Sequence, residues 1–241
     1  MCNLVIDQGN SSTKIGVFDK GVLLFSERYP MFGALEIASI WSRFEVEDSI
    51  LSSVVDLDSE LLSLLQAKSH RFVLLDESTP LPISNLYETP KTLGRDRLAV
   101  CVGANFLKPD SNLLVIDAGT AVTYDIVNSK NQYVGGTISP GLDMRARSLH
   151  NFTKKLPLVE VKEDVGIYGT TTETALQSGV LNGLVYEMDG YVNALSSVYP
   201  DLSVFLTGGS SFYFERKLKS VIFANQNLLL VGLNRILSFR C

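Results

Sequence analysis

Short apolar segments alternate with amphipathic ones along the chain, and their lengths and periods distinguish strands from helices. In the first half the pattern predicts three successive strands, then a helix, a strand, a helix and a strand. These elements span residues 4–6, 15–18, 22–29, 34–44, 49–55, 58–68 and 72–75. Residues 76–93 have no period and contain several prolines, so we predict a loop there, followed by a helix over 96–106.

The second half repeats this order of elements. Three strands are followed by a helix, then by one long helix or a broken pair, and then by strand, helix, strand and helix. They span residues 113–117, 121–127, 132–138, 141–153, 172–198, 203–206, 210–218, 221–224 and 228–239. The pattern predicts an α/β protein with two ribonuclease H-like halves, since each half begins with three strands that are followed by a helix. The proline at Lys108-Pro109-Asp110 marks the boundary, which predicts domains over 1–109 and 110–241.

A direct repeat supports the division into halves. The segment Leu4-Val5-Ile6-Asp7-Gln8-Gly9-Asn10 recurs as Leu114-Val115-Ile116-Asp117-Ala118-Gly119-Thr120, at an offset of 110 residues. Each copy is an apolar strand that runs into an acid, a glycine and a small polar residue. Such a turn presents backbone N–H groups and short polar side chains, which suits a phosphate and a cation. Two facing turns would clamp a nucleotide polyphosphate, so we expect the nucleotide cleft between the halves.

The two turns differ in the chemistry that they offer. In the first, Asn10 and Ser11 can donate to phosphate oxygens, Lys14 adds a positive charge, and Asp7 can hold Mg²⁺ through water. In the second, Thr120 can donate to phosphate and Asp117 can ligate a cation. The simpler alternatives are a surface hairpin with a solvated lysine and an aspartate that caps its own turn.

Composition excludes several other classes of function. The chain has 241 residues, a net charge of −5 and no run of Lys or Arg longer than two, which argues against nucleic-acid binding. Its three cysteines are widely spaced, which argues against a disulfide framework and a zinc site and suits a reducing compartment. No apolar run approaches the length of a membrane span, so we expect a cytoplasmic protein without a membrane partner.

Three further segments carry candidate chemistry. Gly94-Arg95-Asp96-Arg97 begins a predicted helix, where a carboxylate could accept a proton from a hydroxyl and a guanidinium could bind a carboxylate. The alternative is a helix-capping aspartate beside a surface arginine. The glycine-rich segments 135–141 and 207–210 are turns that suit either close ligand approach or simple chain reversal.

Taken together, these motifs resemble those of the type III pantothenate kinases, in the acetate and sugar kinase/Hsp70/actin superfamily. The resemblance covers nearly the whole chain. The matching segments are Asp7 to Lys14, Tyr87 seven residues before Gly94-Arg95-Asp96-Arg97, Asp117 to Thr120 with Thr123, Gly135-Gly136-x-Ile138-x-Pro140-Gly141-Leu142, and Gly169-x-x-Thr172 with Gln177-Ser178-Gly179. The sequence departs from the family pattern at Gln8, Ser11 and Thr171, and Ser11 retains a hydroxyl.

The resemblance implies ATP-dependent phosphorylation of pantothenate to 4'-phosphopantothenate, the first step of coenzyme A biosynthesis, in an actin-like ATPase fold. It implies that Asp96 is the general base. It also implies Mg²⁺ near Asp7, held through water, and a monovalent cation, K⁺ or ammonium, at Asp117. It also implies a homodimer, in which Thr172 of one subunit reaches the pantothenate of the other. The implied ATP-binding residues are Asp7, Gln8, Gly9, Asn10, Ser11, Ser12, Thr13, Lys14 and Thr120, and the implied pantothenate-binding residues are Tyr87, Gly94, Arg95, Asp96, Arg97 and Thr172.

Two alternatives share parts of this pattern. A kinase of the same superfamily that acts on a sugar or a short acid would keep both phosphate turns, but it should not need Tyr87 seven residues before Gly94. A regulatory module gated by ATP, like the accessory transcription factors that resemble this family, could lose the base and still bind nucleotide. Asp96 beside Arg97 favours the enzyme.

Overall fold

The computed structural model describes residues 1–9 and 12–239, which form two compact units. The first unit contains Met1–Pro109, Asn131–Tyr133 and the closing segment of the chain, and the second contains Asp110–Lys130 and Val134–Gln226. The two units therefore separate after Pro109, but the last helix clusters with the first unit and not with the segment that precedes it.

The first unit is built on a five-stranded sheet. Its elements are β1 (Cys2–Gln8), β2 (Thr13–Asp19), β3 (Val22–Tyr29), α1 (Ala34–Arg43), β4 (Val46–Ser53), α2 (Ser59–Lys68), β5 (Arg71–Leu74), β6 (Ser84–Asn85), α3 (Arg95–Leu107) and α6 (Leu228–Ser238). The strand order is β3-β2-β1-β4-β5. The first three strands are antiparallel, and β4 and β5 run parallel to β1. Outside this sheet, β6 pairs with Gln132 and Tyr133.

The second unit reproduces the same arrangement. Its elements are β7 (Leu113–Ala118), β8 (Ala121–Asn128), β9 (Gln132–Pro140, from Val134 onward), α4 (Leu142–Asn151), α5 (Thr172–Ser196), β10 (Ser203–Thr207) and β11 (Ile222–Ala224). The strands are neighbours in the order β9-β8-β7-β10-β11. With β7 taken as the counterpart of β1, this is the order of the first unit, so the repeated sequence lies on the central strand of each sheet.

Alternating side chains give each central strand two buried faces. In β1, Leu4 and Ile6 belong to a cluster with Ile37 of α1 and Leu61 of α2. Residues on the opposite face meet α6: the amide of Asn3 donates to Asn234 Oδ1 at 2.9 Å. In the second unit, the cluster on one face of β7 is completed by α4 and α5. Strands buried on both faces explain the continuous apolar runs in the sequence.

Helices α3 and α6 approach each other at glycines. A Cβ added to Gly232 would lie 1.8 Å from the carbonyl oxygen of Ala99, and one added to Gly103 would lie 2.3 Å from that of Leu228. The helices can therefore pack only because both positions lack a side chain. This contact explains why α6 belongs to the first unit: its apolar face has its partner there.

One predicted helix is absent and one ambiguity is settled. The predicted helix over 210–218 is wrong, because the structure has only a 3-10 turn over Ser211–Tyr213. After Tyr213 the chain forms turns, for example one closed by the Lys217 N–H, which donates to the carbonyl of Phe214. The side chain of Phe214 in this segment is fully buried. Beyond these turns, the Lys219 N–H donates a hydrogen bond to the carboxylate of Asp189 in α5.

The segment 172–198, which the sequence left as one long helix or a broken pair, is one continuous helix over Thr172–Ser196.

Within the described ranges, no helix has both the length and the apolar character that crossing a bilayer requires.

We predict that Gly232→Ala lowers the free energy of unfolding by about 3 kcal/mol, because overpacking of a close backbone contact costs that much. Urea denaturation measures the change. Gly190→Ala is the control: Gly190 lies exposed within α5, and apart from its own helix backbone nothing lies within 4 Å of the added Cβ. Alanine should stabilise the helix there by about 0.5–1 kcal/mol. Equal stability of the two variants would contradict the close-contact explanation.

Candidate active site

The first predicted phosphate turn lies between β1 and β2. The strands pair in register, so that Asp7 faces Lys14 and Gln8 faces Thr13. The turn is closed by the Gly9 N–H, which donates to the carbonyl of Ser12 at 3.0 Å. Asn10 and Ser11 lie outside the described residues. The pairing of β1 with β2 therefore brings Asp7 and Lys14 together at one end of the sheet.

Strand β4 supports this hairpin from the other side. The hydroxyl of Ser53 donates to Gln8 Oε1 at 3.2 Å, and the Val54 N–H donates to the carbonyl of Gln8 at 3.1 Å. Gln8 therefore has a structural partner, which the sequence did not indicate. Ser53 was not predicted, because its contact depends on the parallel pairing of β4 with β1.

Asp96 is the second residue of α3, and its carboxylate is partly exposed. Its Oδ1 accepts a hydrogen bond from the backbone N–H of Arg97 at 2.9 Å. The N-terminus of a helix stabilises negative charge, which favours a carboxylate at this position. Gly94, the residue that caps the helix, leaves the space that the carboxylate occupies: a Cβ there would lie 2.4 Å from Asp96 Oδ1.

The neighbours of Asp96 differ in burial and direction. Arg97 is buried, with 7% of its surface exposed, whereas Arg95 lines a cavity of about 380 Å³ formed with the loop 76–93. In this cavity Arg95 Nη2 lies 3.8 Å from Glu77 Oε2.

Tyr87 is partly buried. Its backbone N–H donates to Asn85 Oδ1 at 3.0 Å, and its ring packs edge-on against Tyr133. The loop predicted over 76–93 contains β6 and a 3-10 turn over Pro90–Thr92, and Asn85 of β6 holds the backbone of Tyr87.

The second predicted phosphate turn, Asp117 to Thr120, is held by two glycine-containing segments. The backbone N–H of Gly141 donates to the carbonyl of Thr120 at 3.1 Å. A Cβ added to Gly141 would lie 2.4 Å from the carbonyl oxygen of Gly119. On the other side, a Cβ on Gly208 would lie 2.5 Å from Asp117 Oδ1, and Gly208 has a φ of +97°. Both glycine-rich segments therefore form close backbone contacts with this turn.

The segment before Gly141 is anchored by Arg145 of α4. Its Nε donates to the carbonyl of Pro140 at 2.8 Å, and its Nη2 donates to the hydroxyl of Ser139 at 2.9 Å and to Glu187 of α5. The Tyr124 hydroxyl completes the network by donating to Glu187 Oε1 at 2.8 Å. Neither Arg145 nor Glu187 was predicted, since no sequence motif joins residues 42 positions apart.

Electrostatics within this network favour an ionised glutamate. Burial alone would raise the pKa of Glu187, but hydrogen bonds from Arg145, Ser139 and Tyr124, together with the charge of Arg145, lower the pKa below its ordinary value. Burial and the bond to Glu187 raise the pKa of Tyr124, so this phenol stays protonated. A charged, hydrogen-bonded pair therefore links α4 to α5 beside the second turn.

Thr172 is the first residue of α5 and is exposed. The preceding Thr171 caps the helix by accepting from the Thr174 N–H at 3.2 Å. The loop before it is held in place by Ser178, whose hydroxyl donates to the carbonyls of Gly166 and Ile167. Two of the predicted motifs in this region thus position Thr172 and the loop next to it.

Comparison with known proteins identifies the family. A sequence model of the type III pantothenate kinases matches residues 3–194. A type III pantothenate kinase of Phocaeicola vulgatus is 48% identical over 237 residues, which are 98% of each chain. One of Bacteroides fragilis is 46% identical over 98% of each chain, and one of Cytophaga hutchinsonii is 40% identical over 98% of this chain and 99% of its own.

The chain belongs to the type III pantothenate kinase family. This membership confirms the resemblance that the motifs indicated, and it confirms the prediction of an enzyme in a family of kinases that transfer phosphate to an alcohol group.

Solved structures confirm the predicted fold class, the α/β fold of the actin-like ATPases and sugar kinases. A protein from Campylobacter jejuni described as a Baf family transcriptional activator aligns with a TM-score of 0.59 at 22% identity, over 97% of this chain and 96% of its own. A ROK family glucokinase from Streptomyces griseus aligns with a TM-score of 0.53 at 13% identity, over 97% and 98% of the two chains. At such identities the likeness shows the fold alone.

The Glu187 network leads to a prediction for pH-dependent stability in this pantothenate kinase family member. Because the pKa of Glu187 is lowered by folding, its ionised form stabilises the folded chain above its ordinary pKa of 4.5. That contribution is lost as the pH falls through the lower, folded-state value. We expect Glu187→Gln to reduce the free energy of unfolding by about 1 kcal/mol at pH 7, with the difference shrinking below pH 4.5.

Chemical denaturation of the wild type and the variant at several pH values measures this difference. Glu215→Gln, which removes an exposed carboxylate, is the matched control and should show little difference at any pH. A loss of stability for Glu187→Gln that is the same at pH 7 and at pH 3 would contradict the assignment.

Proposed function

We propose that this chain phosphorylates pantothenate at its primary hydroxyl with ATP, which gives 4'-phosphopantothenate, the first step of coenzyme A biosynthesis. The observation that carries this proposal is the identity of 48% with a type III pantothenate kinase over 98% of both chains. The start of α3 supports it, since Asp96 and Arg97 follow each other in the first turn of this helix.

We propose that Asp96 is the general base of this reaction. Its Oδ1 is oriented by the Arg97 N–H, so the second carboxylate oxygen can accept the proton of the pantothenate hydroxyl as that hydroxyl attacks the γ-phosphate. The space left by Gly94 is required for this orientation. The fixed geometry favours catalysis, because phosphoryl transfer depends mainly on alignment and charge neutralisation.

Pantothenate is proposed to lie near the start of α3. The guanidinium of Arg97 is suited to pairing with the pantothenate carboxylate, and burial strengthens such a pair. Thr172 would reach the pantothenate of the other subunit in a homodimer. The proposed pantothenate-binding residues are Tyr87, Gly94, Arg95, Asp96, Arg97 and Thr172.

ATP is proposed to bind through both phosphate turns. In the first, backbone N–H groups, short polar side chains and Lys14 would contact the phosphates. In the second, Thr120 would donate its exposed hydroxyl. The proposed ATP-binding residues are Asp7, Gln8, Gly9, Asn10, Ser11, Ser12, Thr13, Lys14 and Thr120, of which Asn10 and Ser11 lie outside the described residues.

Two cations are proposed for the site. Among the described residues there is no group of three acidic, histidine or cysteine side chains that would enclose a metal. This fits Mg²⁺, which typically binds one or two carboxylates together with water and substrate phosphates. Asp7, at the end of β1, would hold Mg²⁺ through water. Asp117, at the end of β7, would be a ligand of K⁺ or ammonium, and either cation would supply positive charge near the phosphates.

A cytoplasmic homodimer is the proposed state of the protein. Exposed apolar side chains on the second unit support a contact with another copy: Ile138 is 62% exposed, and Ile167 and Tyr168 are 83% and 79% exposed. Ile167 and Tyr168 are held in place by the Ser178 and Asn182 side chains, which bind the carbonyls of the loop. An interface at this loop would place Thr172 beside it.

We expect Asp96→Asn to lower kcat by about 10²–10⁴-fold with ATP binding nearly intact, since a positioned base contributes that much. A coupled ADP-release assay with pantothenate measures kcat, and calorimetry measures ATP binding. Asp143→Asn is the matched control, because Asp143 is also the second residue of a helix, α4, and is exposed. If Asp96→Asn phosphorylates pantothenate near the wild-type rate, Asp96 is not the general base.

The same assay tests the substrate: phosphorylation of glucose or acetate in place of pantothenate would contradict the proposed substrate.

Omission of both K⁺ and ammonium should weaken the use of ATP, because a charge beside the phosphates is lost. We expect the KM for ATP to rise by about tenfold, which corresponds to about 1.4 kcal/mol. Asp117→Asn should abolish the response to K⁺, whereas Asp110→Asn, at the boundary between the units, should keep it. If the wild type is indifferent to both cations, the assignment of Asp117 is wrong.

A further inference from the structure

Arg28 of β3 lies beside the first phosphate turn. In the antiparallel pairing of β2 with β3, Arg28 is directly opposite Lys14. Directly opposed residues project from the same face of a sheet, so the two cationic side chains are neighbours. The Arg28 side chain is exposed, and its Nη1 lies 3.4 Å from the hydroxyl oxygen of Ser12 within the turn. The guanidinium therefore already reaches the turn.

This pairing breaks a local rule of sheet stability. Like charges directly opposite each other are destabilising, and rules broken in this way are expected at functional sites. Asp7 of β1 lies opposite Lys14 on its other side, so Asp7, Lys14 and Arg28 form a row across three neighbouring strands. This row has two positive charges and one negative charge. The carboxylate of Glu27 does not neutralise the excess positive charge, because successive residues of a strand face opposite sides of the sheet. Glu27 instead accepts a hydrogen bond from the Tyr29 hydroxyl.

An anion bound at the turn would balance this excess. Among the described residues, no carboxylate forms an ion pair with Arg28. The chain as a whole has a net charge of −5, so local cations must attract a polyphosphate. A guanidinium has several donors in a planar fork that matches phosphate oxygens, and an exposed one can bind without a large loss of existing contacts.

We propose that Arg28 is a further phosphate-binding residue of the nucleotide site, which contacts the terminal phosphates of ATP together with Ser12 and Lys14. The proposal rests on the phosphate-binding role proposed above for the first turn. Arg28 discriminates between ligands by their phosphate chain: it strengthens binding of ATP and contributes little to binding of AMP, whose single phosphate lies next to the ribose.

The test compares ATP and AMP binding by calorimetry, without pantothenate so that no turnover occurs. For Arg28→Ala we expect affinity for ATP to fall by about tenfold and affinity for AMP to change by less than about twofold. Arg28→Lys, which retains a charge but loses the fork, should recover part of the loss. Lys68→Ala removes an exposed positive charge from the end of α2 in the same unit and should bind both ligands like the wild type.

Thermal unfolding provides a second measurement that separates binding from folding. Relief of the like-charge pair should leave the ligand-free Tm of Arg28→Ala equal to or above that of the wild type, while the rise in Tm on addition of ATP becomes smaller. An equal rise in Tm, or equal losses of ATP and AMP affinity, would overturn the proposal. If Arg28→Ala does not fold, the same criteria apply to Arg28→Lys.

Lys14→Ala distinguishes this inference from the proposed function. If Lys14→Ala weakens ATP binding and Arg28→Ala does not, the role of Arg28 is refuted and that of the turn remains. If neither variant changes ATP binding, the proposed phosphate site at the first turn is refuted as well.

Discussion

Close packing of backbone against backbone is the constraint on which both units depend. In the second unit, Gly141 and Gly208 bring two segments against the turn from Asp117 to Thr120, at distances that no side chain would allow. In the first unit, Gly103 and Gly232 allow α3 and α6 to touch. The elements that carry the candidate chemistry are therefore supported by rigid contacts rather than by long, adjustable side chains. Such support holds functional groups within the narrow range of positions that catalysis requires.

The same strand order supports different chemistry in the two units. Each sheet places a tight turn after its central strand, but the first turn leads to Lys14 and the second contains Asp117 and Thr120. The two solved structures described above share this fold at 22% and 13% identity and are described as a transcriptional activator and as a glucokinase. A fold of this kind therefore does not determine a function.

Charge is distributed in a way that suits an anionic substrate on an acidic protein. Positive side chains are concentrated near the first turn and at the start of α3, whereas the overall charge is negative. In the second unit, Arg145 and Glu187 neutralise each other and fix the segment before Gly141. The charges of Arg145 and Glu187 are thus used to hold the scaffold, because the two side chains are mostly buried and hydrogen-bonded to each other.

The sequence by itself determined most strands and helices, the repeated turns and the family, because these depend on local periods and on short motifs. It also placed Asp96 at the start of a helix, since helix-start signals are local. Only the tertiary structure decided that 210–218 is not a helix, that α6 joins the first unit, that Arg28 reaches the first turn, and that Arg145 holds the segment before Gly141. These features arise from contacts between residues far apart in the chain, where packing and register outweigh local preference.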